Sequence, residues 1–289
     1  MTDFPRAEYE ARLARAQEAM HGAGLDALFL NTEADINWFT GFRTAFWQSP
    51  TRRWYVIVPA EGLPVAIVPR IGAALMGQAF IGALEVFDAP AGGNEGMALL
   101  ASRLAPFARI GMAMGEEASL RMALTEFEAL RARLEAEWAD ASPLLKRLQM
   151  VKSPAEIATI GEICAVASRA FARLPGLVHE GQPLAEAFRA FRIALLEEGA
   201  EAVPYLVGGA GPGGYGDVIS PPGPAPLAAG DVLMLDTGAM LRGYFCDFDR
   251  NIAIGPASDA VRRAHARLWR ATEAGLAAAR PGATCADLF

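Results

Sequence analysis

Apolar residues along the first half of the chain follow two alternating periods, one suited to helices and one to strands. Helical spacing runs from Glu8 to His21 and is closed by Gly22 and Gly24. Ala27-Leu-Phe-Leu then reads as a short buried strand. Trp54-Tyr-Val-Ile-Val and Pro64-Val-Ala-Ile-Val form a hairpin around Glu61-Gly62. Leu84-Glu-Val-Phe and Arg109-Ile-Gly-Met-Ala are further strands, with helices at about 71–80, 94–105 and 118–135. Strands alternating with helices after an opening hairpin indicate a mixed α/β layer domain.

Near residue 150 the pattern changes. Ser153-Pro-Ala-Glu supplies an N-cap, a proline at the first helical position and an acidic first turn. That helix is expected to reach about Leu174, and another spans Leu184 to Glu198. Val203-Pro-Tyr-Leu-Val reads as a strand. From Gly208 to Gly230, 13 of 23 residues are Gly or Pro, so an irregular loop is expected, either rimming a pocket or lying on the surface. Its opening Gly208-Gly-Ala-Gly-Pro-Gly-Gly lacks the Gly-Lys-Ser/Thr ending of a phosphate loop. Two β-type runs follow, Val232 to Met240 and Gly243 to Ile254, and a last helix spans Ala257 to Ala279.

The two β-type runs carry the chemistry. Asp236 and Asp247 lie eleven residues apart, and Asp249 follows. A carboxylate in an apolar strand is costly unless something neutralises it. A two-residue turn at Leu241-Arg242 would place Asp236 directly opposite Asp247, their Cβ atoms about 4.5–5.5 Å apart. Asp249, two residues on, shares that face. Three like charges so close favour a hard cation between them, and a two-metal site with ions about 3.5–4 Å apart would suit the cluster. The alternative is a solvated face of an edge hairpin. Against it, Val232-Leu-Met-Leu is a continuous apolar run, as in strands buried on both faces.

These residues resemble a known family. Asp236-x-Gly, then Gly243-Tyr244-x-x-Asp247-x-x-Arg250, is similar to the first metal-binding segment of the pita-bread metallohydrolases, which include Xaa-Pro aminopeptidase, prolidase and creatinase-like enzymes. Gly24-Leu-Asp-Ala-Leu and Ile36-Asn-Trp-Phe-Thr-Gly-Phe resemble the start of the creatinase-type N-terminal domain. Met150-Val-Lys-Ser-Pro-Ala-Glu-Ile resembles the entry into the catalytic domain, and Arg280-Pro-Gly-Ala-Thr the loop after its next helix. The resemblance implies an α/β creatinase-like domain (a mixed sheet with helices) over residues 1–148. A partial α+β pita-bread catalytic domain would then cover 149–289. It implies Asp236 and Asp247 as metal ligands, with Asp249 an extra or neighbouring group and Tyr244 and Arg43 contacting substrate. It also implies two divalent ions (Mn, Co, Fe or Zn), a small peptide or amide-type substrate, and a homodimer.

Three departures accompany the match. The family completes its site with a His and two Glu beyond this segment, whereas the chain ends at Phe289. The expectation is therefore a catalytic domain lacking its C-terminal half, with the ions unbound in this chain. Proline peptidases carry a substrate-contacting His where this chain has Ile219. The usual Asp-x-Thr-Arg reads Asp247-Phe-Asp249-Arg250. The second and third departures suit a non-peptidase relative, such as a creatinase-like hydrolase or a lyase acting on a small zwitterion. The first suits a fragment or a binding protein.

Composition narrows the class. With 289 residues, 53% hydrophobic and 20% charged, the chain is globular and large enough for two cores. A net charge of −7 with no long basic run argues against nucleic acid as a partner. The N-terminus lacks a signal-peptide core and no apolar stretch approaches membrane-spanning length, so a cytoplasmic protein without membrane contact is expected. Cys164, Cys246 and Cys285 show no metal-type spacing and read as reduced thiols, Cys246 as a small core residue. Arg43, Trp47, Arg52 and Arg53 cluster after Thr40-Gly-Phe. They suit either carboxylate binding or a plain surface loop with one packed Trp. His179 reads as a helix-end residue, His265 as exposed, and Arg250 as an ion-pair partner.

Overall fold

A computed structural model describes residues 2–49, 51–92 and 95–289. The chain divides into two compact units, Met1–Ile157 and Ala158–Phe289. The first opens with helix α1 (Arg6–Ala23), which Gly24 ends in the left-handed conformation at φ 64°. Then come β1 (Ala27–Leu30), α2 (Glu33–Thr40), β2 (Tyr55–Pro59), β3 (Val65–Pro69) and a short α3 (Ala73–Met76). They are followed by β4 (Ala83–Phe87), α4 (Met97–Leu104), β5 (Arg109–Met112), α5 (Leu124–Arg133), β6 (Glu137–Asp140) and α6 (Ser142–Met150). The strands form one six-stranded sheet in the order β4-β3-β2-β1-β5-β6. β2 is antiparallel to both β1 and β3, while β3–β4, β1–β5 and β5–β6 are parallel. The expected mixed α/β layer domain with its β2–β3 hairpin is therefore present. One of its cores gathers Phe29, Tyr55, Ile57 and Ile67 from the sheet with Leu100, Leu104, Phe127 and Leu130 from the helices.

Three helices depart from the sequence pattern. The one expected at 71–80 shrinks to a 3-10 turn and the four residues of α3. Gly72 is pressed on Trp54, where a Cβ would lie 2.1 Å from the indole ring. Of the helix expected at 94–105, Asn94 lies outside the described residues, and α4 begins at Met97. The helix expected at 118–135 begins only at Leu124, because the preceding segment is held by its backbone: the Arg121 N–H donates to Asn31 Oδ1 at 3.2 Å.

In the second unit, α7 (Pro154–Leu177, begun at the end of the first) and α8 (Leu184–Glu197) precede an antiparallel sheet. Its strands are β7 (Ala202–Pro212), β8 (Asp231–Leu241), β9 (Tyr244–Phe245) and β10 (Phe248–Ala253), followed by α9 (Asp259–Ala278) and α10 (Cys285–Leu288). β8 is central, with β7 on one side and β9 and β10 on the other. Leu233, Leu235, Ala239 and Leu241 of β8 pack on Ile163, Ala167, Ala170 and Leu174 of α7 and on Phe188, Phe191 and Leu195 of α8. Full burial of a leucine side chain contributes about 1.5–3 kcal/mol. Strand alternation therefore turns Val232, Met234, Asp236, Gly238 and Met240 to the other face. Val232 and Met234 are buried there too, as the continuous apolar run requires.

The Gly-rich stretch differs from its composition. Gly208–Pro212, expected as irregular loop, continues β7 and pairs with Leu235–Asp231 of β8. Glycine is needed because the chain folds back over the strand. A Cβ on Gly209 would meet the Asp217 carbonyl oxygen at 2.3 Å, and one on Gly211 the Gly214 carbonyl oxygen at 2.6 Å. Among the described residues no helix is long and apolar enough to cross a membrane.

Candidate metal centre

The hairpin joining β8 to β9 turns on Arg242 and Gly243, at φ 52° and 80°. Two positive φ angles in a two-residue loop are the signature of a type I′ turn, with glycine at its second position. Leu241 pairs with Tyr244 and Met240 with Phe245. The expected turn at Leu241-Arg242, with Asp236 opposite Asp247, is thereby corrected: Leu241 stays in the strand, and the glycine takes the left-handed position. Asp236 pairs instead with Asp249, and Thr237 with Phe248. One step further, Asp247 lies beside Gly238. Moving the turn by one residue shifts the register by two, so Asp236, Asp247 and Asp249 still share the face away from the helices.

The geometry leaves Asp236 uncompensated. Its Oδ1 is buried and has no hydrogen-bond partner. Burial first, then the charges of Asp247 and Asp249, push its carboxyl above the ordinary carboxylate range. Asp247 is more exposed and accepts a hydrogen bond from the Tyr205 hydroxyl at 2.7 Å. Burial and that bond to Asp247 raise the Tyr205 phenol well above its usual value, so it remains a donor. Tyr205 and Gly238 form part of the site, and the sequence reading missed both. The alternation of Tyr205 with Val207 was visible, but its pairing partner was not.

The raised Asp236 has a testable consequence for pH. Its neutral form is favoured in the fold, so the folded state binds more protons than the unfolded state just above the ordinary value of 3.8. Stability of the cation-free protein is therefore complete below that value and falls as pH rises toward the higher folded value. Thermal unfolding in EDTA across acidic to neutral pH checks this. Asp236→Asn is expected to flatten the decline, and an equally steep decline in that variant would refute the assignment.

Other sequence-predicted residues fall elsewhere. Tyr244 pairs with the core residue Leu241 and shares the helix-side face with Cys246 and Phe248, away from the three carboxylates. Arg43 lies in the first unit, where Asp3 takes its guanidinium at 2.6 and 2.9 Å. Arg53 pairs with Glu126 at 2.6 Å, and Trp47 is buried against Phe42 and Trp54. Arg250 lies over the rings of Phe248 and Phe171 in place of the expected ion pair, and donates to the Asp249 carbonyl oxygen. His179 follows α7, its Nδ1 2.9 Å from the Glu180 carbonyl oxygen, and His265 is exposed on α9. Asp217 accepts from the backbone of Ile219 and Ser220, which fixes its own loop. Cys246 is a buried core residue.

The orphaned Asp236 oxygen and the nearby Asp247 carboxylate are oxygen donors of the kind a hard divalent cation takes. Asp236 and Asp247 would supply part of its shell. Among the described residues, no group of three or more His, Cys, Asp or Glu is placed to hold an ion.

Residues 158–289 match metallopeptidase family M24, and residues 12–151 match the creatinase/prolidase N-terminal domain. The chain belongs to the pita-bread M24 family. The M24 chain is 28% identical over 295 residues to "Probable dipeptidase PepE" of Mycobacterium tuberculosis, covering 97% of this chain and 73% of that protein. It is 26% identical over 321 residues to the agropine synthesis cyclase of Rhizobium rhizogenes, covering 100% of this chain and 77% of that protein. In fold it matches the prolidase of Pyrococcus horikoshii with a TM-score of 0.81 at 18% identity, covering 96% of this chain and 75% of that one. Within the matched segment Asp236 lies on β8, Asp249 on β10 and Asp247 between β9 and β10.

Proposed function

We propose that this M24 chain is a metal-dependent hydrolase of the dipeptidase or prolidase type, cleaving a peptide or other amide-like C–N bond in a small substrate. The observation that carries the reading is the buried, partnerless Asp236 Oδ1 beside Asp247 within the M24 segment. A pair of divalent ions held there would supply Lewis-acid activation of the scissile carbonyl and of water. Asp236 and Asp247 hold the cation charge, and Asp249, paired across from Asp236, adds negative potential to the same face. The buried helix-side leucines anchor β8, the strand that carries Asp236. The guanidinium of Arg43 is already engaged by Asp3. A homodimer is part of the proposal, as is a site inside the cytoplasm.

Calorimetric titration with Mn²⁺ and Co²⁺ tests the metal. Binding is expected in the wild type and its loss in Asp236→Asn/Asp247→Asn, together with loss of cation-induced thermal stabilisation. Identical titrations of the two proteins would end the proposal. A panel of X-Pro and other dipeptides tests the substrate class. A second reading, a non-peptidase acting on a small zwitterion, is favoured by the similarity to the agropine cyclase and by exposed Ile219 where a proline peptidase would carry histidine. Turnover of small cyclic amides with none of the dipeptides would select it.

A further inference from the structure

We infer that Tyr205 is a positioning residue for the cation ligand Asp247, and that position 238 is glycine to let its ring through; this rests on the metal-dependent reading above. Tyr205 on β7 stands directly opposite Gly238 on β8. Asp247 lies beyond β8, on the returning arm of the hairpin. Neighbouring strands are about 4.7–4.9 Å apart, so the span from β7 to that arm is roughly 10 Å. A tyrosine can bridge it only by lying flat across the middle strand, and any side chain there would block it. A Cβ on Gly238 would fall 2.0 Å from Tyr205 Cε1 and 2.8 Å from Cζ. The ring thus crosses β8 where there is no side chain, and its hydroxyl donates to Asp247 Oδ1 at 2.7 Å.

This bond has a direction. The phenol donor stops the Asp247 carboxylate rotating about its last torsion. Asp236 has no such support, since its Oδ1 has no partner. The two ligands are therefore prepared differently: Asp247 is oriented by a hydrogen bond, and Asp236 keeps an unpartnered oxygen for the ion to meet. Groups that orient a metal ligand typically contribute 10–100-fold to metal affinity.

Co²⁺ titration of the full chain, followed by calorimetry and by visible absorption, tests the inference. Tyr205→Phe keeps the ring and removes only the donor. It is expected to leave metal-free unfolding nearly unchanged, weaken Co²⁺ binding about 10–100-fold and shift the Co²⁺ absorption band. Gly238→Ala should produce the same loss by displacing the ring. Gly238→Ala combined with Tyr205→Ala should recover folding but not affinity, which separates positioning from packing. Wild-type affinity and an unshifted band in Tyr205→Phe would overturn the inference alone. Absence of Co²⁺ binding in the wild type would overturn the metal-dependent reading and this role with it.

Discussion

Replacing Glu156 by alanine is expected to destabilise the first unit by about 3–5 kcal/mol, the usual cost of removing one partner of a buried ion pair. Glu156 and Arg12 are each about 1% exposed, with Arg12 Nη2 3.4 Å from Glu156 Oε1. The same Oε1 accepts from the Trp38 indole at 3.1 Å. Oε2 accepts from the Ser153 N–H at 2.7 Å, while the Ser153 hydroxyl accepts from the Glu156 N–H. That reciprocal pair is a capping box, which starts α7, and within the first unit the same carboxylate joins Arg12 of α1 to Trp38 of α2. Arg12 is held further by Glu8 at 2.8 Å and by the Trp38 carbonyl at 2.9 Å, with its guanidinium over Phe4, Tyr9 and Trp38. Truncating Glu156 leaves that cation without its interior counter-ion and leaves an indole N–H unpaired. Urea unfolding monitored by tryptophan fluorescence reads the effect. Arg12→Met/Glu156→Leu should be less destabilised than Glu156→Ala, because both charges leave together. A single variant within about 1 kcal/mol of wild type would show that the pair contributes no more than a surface one.

Part of this was legible before any coordinates, and the reason differs between elements. Ser153-Pro-Ala-Glu announced the start of α7 because capping is local chemistry, but that Glu156 also meets Arg12 is a long-range fact. The shared face of Asp236, Asp247 and Asp249 was readable from strand parity, which survives any even slip in register. The pairing of Asp236 with Asp249 was not, because it depends on one residue of turn placement. There Gly243 was the usable signal: it accepts the positive φ that Leu241 resists. α2 and β6, short elements of eight and four residues, were not read, being too brief for periodicity to register. Tyr205 was hidden for a related reason. Its role depends on Gly238 opposite and Asp247 beyond, so three segments had to be registered first.

The glycines of β7 show the opposite failure, where composition pointed to loop and the structure formed strand, and they support the second large prediction. Gly208→Ala is expected to cost on the order of 3–5 kcal/mol, from backbone strain and overpacking together. Gly208 has φ +149°, and its added Cβ would sit 2.1 Å from the Met234 carbonyl oxygen and 3.2 Å from Leu235 Cα. These are backbone atoms of the central strand, not the ends of flexible side chains, so relief requires β7 to part from β8. Gly208 pairs with Leu235, next to the Val207–Asp236 pair, and its N–H donates to the Val218 carbonyl at 2.9 Å. Parting there moves Asp236 and frees the loop that folds over the strand. The variant should therefore lose both stability and cation affinity. Gly216→Ala is the control: nothing lies within 4 Å of its Cβ, and its effect should be within about 1 kcal/mol, with a possible gain from a stiffer unfolded chain. Equal unfolding midpoints for the two variants would mean that Gly208–Pro212 does not pair as a strand in solution, and the support assigned to Asp236 would fall with it.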